Sequence, residues 1–139
     1  MAHTVGLTFD CANPTKLAEF WKLALGYEDQ PPPAPFTTRE EWLASFDLPE
    51  DDDGDGVWLH DPTGAGPTLS LLQVPEPKVA KNRLHIDIKV SRTGAPEDRW
   101  RLITETVERL QTAGATIVWS DPEHHVTMAD PEGNEFCVT

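Results

Sequence analysis

Asp61-Pro62-Thr63-Gly64 and Asp130-Pro131-Glu132-Gly133 are two copies of one turn signal, and the sequence around each repeats as well. Upstream run Val57-Trp58-Leu59-His60 and Val126-Thr127-Met128-Ala129; downstream run Thr68-Leu69-Ser70-Leu71-Leu72 and Glu135-Phe136-Cys137-Val138. Proline second and glycine fourth suit a type I turn closing into a hairpin, because proline fixes φ and glycine accepts positive φ. Two copies of one small unit can face each other and enclose a cleft. Function is therefore expected on the strand faces that line it.

Each turn is preceded by a strand and a helix. Val5 to Cys11 alternates, with Val5, Leu7, Phe9 and Cys11 on one side and Gly6, Thr8 and Asp10 on the other, which predicts a half-buried strand. Asn13 then caps a helix, Pro14 sits in its first turn, and Gly26 lies just past its end. Leu17, Phe20, Trp21 and Ala24 form its buried stripe. Tyr27 to Gln30 reads as a short strand. In the second unit, Leu84 to Val90 alternates with Leu84, Ile86, Ile88 and Val90 inward and His85, Asp87 and Lys89 opposite. A helix follows from about Pro96 to Ala113, carrying Trp100, Ile103, Val107 and Leu110 on its stripe, with Gly114 as its stop. Thr116 to Ser120, Val126 to Ala129 and Glu135 to Thr139 complete the strands.

Residues 31–56 interrupt the first unit and read as an insertion. Pro31-Pro32-Pro33-Ala34-Pro35 removes backbone donors and excludes helix or central strand. Thr38 and Glu41 make a capping box that opens a short helix bearing Trp42, Leu43 and Phe46. A long connection of this kind is expected over the mouth of the cleft. The acidic stretch that follows places Asp51, Asp53, Asp55 and Gly56 at the first, third, fifth and sixth positions of a calcium loop, but Pro62 stands where the bidentate glutamate belongs, so it reads as a solvated charge run.

The 139 residues favour one domain, with halves at about 4–75 and 82–139 joined by the linker Pro75-Glu76-Pro77-Lys78. Five tryptophans and five phenylalanines supply apolar area for a core. The 24 acidic against 11 basic residues give a net charge of −13, which repels nucleic acid and anionic membrane surfaces. No apolar run approaches the roughly 18–20 residues that span a bilayer, and the opening Met1-Ala2-His3-Thr4-Val5 lacks the basic head of a secretion signal. Two lone cysteines, Cys11 and Cys137, read as small buried hydrophobes and fit a reducing, cytoplasmic setting.

His85 and Glu135 are the leading chemical candidates, each on the polar face of a strand. Imidazole nitrogen and carboxylate oxygen together suit zinc, nickel, iron or manganese, although two ligands alone hold a metal weakly. The alternative is structural: a histidine bonded to a neighbouring strand, and a glutamate paired with Lys89 or Arg83. His60 beside Asp61, and His124 with His125, sit next to turns where polar residues are ordinary. Ser70 lacks the strained elbow of a nucleophile, and there is no phosphate loop or dinucleotide fingerprint.

Pro14-Thr15-Lys16-Leu17-Ala18-Glu19-Phe20-Trp21 through Leu25-Gly26-Tyr27, Asn82-Arg83-Leu84-His85-Ile86-Asp87 and Asp130-Pro131-Glu132-Gly133-Asn134-Glu135-Phe136 together resemble the vicinal oxygen chelate superfamily, and within it the glyoxalase-like domain subgroup. That superfamily includes glyoxalase I, extradiol dioxygenases, epoxide-opening thiol transferases and bleomycin-binding proteins. The resemblance implies an α+β fold of two βαβββ modules in tandem, forming a curved, open mixed sheet around a cleft. It also implies four strand positions for a metal, two per module; these fall on Gly6 and Ser70 in the first and on His85 and Glu135 in the second. A glycine and a serine leave that site half-furnished, with Asp10, His60, Gln73 or a partner subunit the conceivable substitutes. Two functions follow as expectations. One is a binder of a small apolar or aromatic molecule, with a degenerate metal site and no required cofactor, its cleft lined by Trp58, Trp119, Trp42 and Ser70. The other is a divalent-metal lyase, isomerase or dioxygenase using His85 and Glu135, with Glu135 as catalytic proton carrier. A homodimer is expected by the same resemblance.

Overall fold

Asn13 and Gly26 bracket helix α1 (Pro14–Leu25) as the sequence predicts. The Asn13 Oδ1 accepts from the Lys16 N–H at 3.1 Å, and Gly26 takes φ +70, the left-handed conformation that ends a helix and that glycine adopts without steric cost. The computed structural model describes residues 1–46 and 56–139. Around α1 the first half consists of β1 (Gly6–Cys11), β2 (Glu28–Asp29), α2 (Arg39–Ala44), β3 (Gly56–His60) and β4 (Thr68–Gln73). The second half holds β5 (Asp87–Ile88), a 3-10 turn at Pro96–Asp98, α3 (Arg99–Thr112), β6 (Thr116–Asp121), β7 (His125–Ala129) and β8 (Glu135–Val138). The acidic stretch Asp51-Asp52-Asp53-Gly54-Asp55 lies outside the described residues, so the calcium-loop pattern has no structural counterpart to compare.

Two four-stranded mixed sheets result, ordered β1-β4-β3-β2 and β5-β8-β7-β6. The same topology is written twice: β1 runs parallel to β4 and β5 parallel to β8, while the remaining pairs are antiparallel. This is the α+β arrangement of two βαβββ halves, and neither sheet closes on itself. The two Asp-Pro-x-Gly turns behave alike. Gly64 N–H donates to Asp61 O and Gly133 N–H to Asp130 O, both at 2.9 Å, and both glycines have positive φ.

One face of each sheet is covered by helix. Leu59, Leu69 and Leu71 from β3 and β4, and Val126, Met128, Phe136 and Val138 from β7 and β8, are almost wholly buried against Leu17, Phe20 and Trp21 of α1 and Ile103, Val107 and Leu110 of α3. The halves share this core. The Trp21 ring of the first half stands edge-on to Phe136 of the second at 5.2 Å, and its indole N–H donates to Asp130 Oδ2 at 3.0 Å. Glu132 reaches back from the second turn to accept from the Ala12 and Asn13 N–H groups, at 2.6 and 3.0 Å, where α1 begins.

The strand expected from Leu84 to Val90 is corrected. Regular pairing is confined to Asp87–Ile88, and Leu84 is 63% exposed rather than inward. The reason is tertiary: the Asn82 N–H donates to Glu135 Oε2 and the Glu135 N–H donates to Asn82 Oδ1, so at this end side chains take the bonds that a backbone ladder would use. Trp21→Ala should therefore cost about 3–5 kcal/mol and lower the unfolding transition of both halves together. Urea unfolding followed by circular dichroism measures this; a loss below about 1 kcal/mol, or two separated transitions, would contradict the shared core.

Candidate functional site

Strand alternation leaves one face of each sheet free of helix, and the expected site residues lie there. In the first sheet the cross-strand register sets Trp58 (β3) opposite Ser70 (β4), and Ser70 opposite Thr8 (β1). In the second sheet it sets Trp119 (β6) opposite Thr127 (β7), Thr127 opposite Cys137 (β8), and Cys137 opposite Asp87 (β5). Both tryptophans thus end a row of polar side chains on an exposed face.

The insertion builds a wall over the first of these rows. Thr38 caps α2, its hydroxyl accepting from the Glu41 N–H at 3.2 Å, while the Glu41 carboxylate accepts from the Thr37 N–H and hydroxyl. The short helix brings Trp42 edge-on to Trp58 at 5.6 Å between ring centroids, with Phe46 against Trp42 at 5.6 Å. The Arg39 guanidinium lies over the Trp58 ring at 4.6 Å and donates to the Gly56 carbonyl. Trp42 and Trp58 are only half-buried, so the aromatic edge remains open to a ligand. Between the sheets lies a cavity of about 340 Å³ lined by Gly6, Thr8 and Asp10 on one side and Asn82, Leu84 and Asn134 on the other.

Glu135 and His85 each have partners of their own. Glu135 accepts from the Asn82 N–H and lies 3.5 Å from Lys78 Nζ and 3.9 Å from Lys81 Nζ, fastening the linker to β8. Its carboxyl is held below its ordinary range, first by the Asn82 N–H and then by the two lysines. A proton carrier working near neutrality needs the opposite displacement. His85 instead meets Asp87, with Nδ1 at 3.3 Å from Oδ1. Trp119 is 57% exposed, its ring 5.3 Å from His125.

The four-position metal centre implied by the resemblance does not fit these residues. A Cβ at Gly6 would sit 2.8 Å from Thr68 Oγ1, so a donor there requires Thr68 to move. Ser70 offers a hydroxyl alone. Of the conceivable substitutes, His60 is bound to Glu28 at 3.2 Å and the Gln73 amide donates to the Ala12 carbonyl. Among the described residues the side chains that could share a cation are His85, Asp87 and Cys137, whose donor atoms all lie within 4.8 Å of one another; Glu135 is not one of them. Sequence reasoning placed His85 and Asp87 on one strand face but took Cys137 for a small buried hydrophobe. The signal for Cys137 was its spacing of two from Glu135, which gives both the same face.

Glu135 makes a pH-dependent contribution to stability. Because its folded value lies below the ordinary 4.5, the contribution is present above that value and lost as pH falls through the folded one. Glu135→Gln should be less stable than the parent at about pH 7, with the gap narrowing at a pH below the ordinary carboxyl value of 4.5. Urea unfolding at both pH values checks this; a gap that persists in acid would exclude the linker-anchoring role.

The glyoxalase-like domain family model matches residues 6–139. Solved structures of similar fold include a FosX fosfomycin resistance protein from Mesorhizobium loti, at 13% identity and TM-score 0.65, covering 99% of this chain and 90% of that one. FosX from Listeria monocytogenes complexed with Mn(II) and sulfate matches at 14% identity and TM-score 0.62, over 99% and 91% of the two chains. A glyoxalase/bleomycin resistance protein/dioxygenase family enzyme from Burkholderia phytofirmans gives 11% identity, TM-score 0.62, and coverage of 98% and 97%. No curated protein matches the sequence. At these identities the structures share a fold with this chain and nothing narrower. By the match along almost its whole length, the chain belongs to the glyoxalase-like domain family of the vicinal oxygen chelate superfamily.

Proposed function

We propose that the chain, acting as one domain with halves at about 4–75 and 82–139, binds a small apolar or aromatic molecule on the face of its first sheet opposite α1. The observation that carries this reading is the wall of Trp58, Trp42 and Phe46 that α2 raises over the row Trp58–Ser70–Thr8. Aromatic faces supply large, rigid contact area, and a few polar groups suffice to orient a ligand. Ser70 and Thr8 provide hydroxyls beside Trp58, and the adjoining cavity of about 340 Å³ falls within the range of small-molecule sites. The missing donors at Gly6 and Ser70 support binding over the oxygen-chelating chemistry of a two-module metal centre.

The alternative, a divalent-metal lyase, isomerase or dioxygenase, draws its support from His85, which does stand among other donor groups. It is the weaker reading because Glu135, its intended second ligand and proton carrier, is committed to Asn82, Lys78 and Lys81.

Association into a homodimer belongs to the same proposal. β6 is exposed on both faces, with Ile117, Val118 and Trp119 each about half accessible to solvent. A contiguous apolar edge of this kind favours cover by a second copy. Among the described residues no helix is long and apolar enough to cross a membrane. The two cysteines are free thiols, which supports a reducing, cytoplasmic setting.

A thermal-shift screen with small aromatic compounds is expected to find at least one that raises the melting temperature, since a ligand selective for the folded form stabilises it by mass action. Trp58→Ala should weaken that compound by about 2 kcal/mol, some 30-fold in Kd, without altering the far-ultraviolet circular dichroism. An unchanged Kd would remove the aromatic wall from the site. Light scattering coupled to size exclusion should give a dimer mass, shifting toward the monomer in Val118→Lys; a monomeric parent would refute the dimer.

A further inference from the structure

We propose that the second half carries a cation site of its own, made by His85, Asp87 and Cys137, and that this site takes zinc in preference to manganese. The inference goes beyond the aromatic-ligand reading, which needs no metal and uses the other half of the chain.

Three features of the chain place the donors. His85 lies two residues before Asp87, just ahead of β5, and its Nδ1 lies 3.3 Å from Asp87 Oδ1. The parallel register of β5 and β8 then sets Cys137 directly beside Asp87. Finally, Sγ is held by the Thr127 hydroxyl at 3.4 Å, and Cys137 is 9% exposed, so the thiol has a fixed seat at the floor of the group. All three donor atoms lie within 4.8 Å of one another. Zinc–ligand bonds of about 2.0–2.3 Å put tetrahedral ligand atoms roughly 3.3–3.8 Å apart, so side-chain adjustments of about 1 Å close the site without backbone movement.

Access and charge agree with the geometry. The His85 and Asp87 side chains are each 45% exposed, leaving a path from solvent and an open fourth position, as in zinc sites with three protein ligands. Binding converts the Cys137 thiol to a thiolate: the S–H bond breaks, the S–Zn bond forms, and the proton passes to water. Carboxylate and thiolate together offset the ion's two charges, with neutral imidazole as the third ligand. Ion preference follows from the sulfur. Thiolate is a soft ligand and imidazole a borderline one, and both favour zinc over manganese, which prefers carboxylate, carbonyl and water oxygens.

The alternative for the same residues is a surface His85–Asp87 ion pair beside an inert thiol, and metal titration of the untagged full chain separates the two. The expected result is about one zinc bound per chain by calorimetry, with manganese at least 10-fold weaker. Cobalt(II) should bind in place of zinc and give a sulfur-to-metal charge-transfer band in the near ultraviolet. Cys137→Ser should abolish that band and weaken zinc at least 10-fold, and His85→Asn, at an exposed position, should weaken it comparably. Glu135→Gln and Trp58→Ala should leave zinc affinity unchanged. Absence of stoichiometric zinc, manganese binding as tightly as zinc, a cobalt complex without the thiolate band, or zinc lost in Glu135→Gln but retained in Cys137→Ser would each overturn the site.

Discussion

The contact between Trp21 and the turn at Asp130 holds this molecule together. A strand–helix unit of about seventy residues presents a single apolar sheet face and one helix, too little to bury Trp21 from every side. The indole is enclosed by Phe9 and Phe20 from its own half and by Phe136 from the other, while its polar N–H finds the Asp130 carboxylate. Asp130 is itself buried and tolerable there because it also accepts from the Glu132 N–H, the Asn134 N–H and the Asn134 side-chain amide. The turn motif that shapes the second hairpin is thus also the socket for the first helix.

That core position decides what the opposite faces can do. With Leu, Val, Met and Phe committed to the helix side, alternation sends Thr8, Trp58, Ser70, Asp87 and Cys137 to the uncovered side. The two cysteines show the division. Cys11 lies in the core, where burial, followed by the negative field of Glu132, Asp10 and Asp130, pushes its thiol up to about 11, so it stays protonated and inert near neutrality. Cys137 belongs to the other face and sits beside an imidazole and a carboxylate. Identical residue types, both largely out of solvent, end in opposite chemical surroundings because one strand position is odd relative to the core and the other even.

Much of the architecture was legible before any coordinates. Asn13, Pro14 and Gly26 delimit α1 by local chemistry alone, and the repeated Asp-Pro-x-Gly turns announce the duplicated topology. The site was less legible, for a specific reason. Periodicity of two assigns side chains to faces but says nothing about which residue of a neighbouring strand stands alongside. Periodicity did not disclose the register that sets Asp87 beside Cys137. It also missed that Asn82 and the two linker lysines occupy Glu135. The strand at Leu84 was overextended for the same reason, since the Asn82–Glu135 exchange of bonds depends on residues 53 positions apart. The edge-on contact of Trp42 with Trp58 is likewise a tertiary fact that the capping box of α2 could not disclose.

The reach of Glu132 back to Ala12 and Asn13 has a consequence for the order in which the molecule is made. The free N–H groups at the start of α1 find their acceptor 119 and 120 positions further along. A nascent first half emerging from the ribosome therefore lacks both the acceptor for its opening helix and the ring that seals Trp21, and it must wait, partly formed and with that indole unsealed, until Phe136 has cleared the exit tunnel. Contacts of such sequence separation make for slow folders, and a pause late in translation would lengthen the interval during which that apolar surface stays open to water.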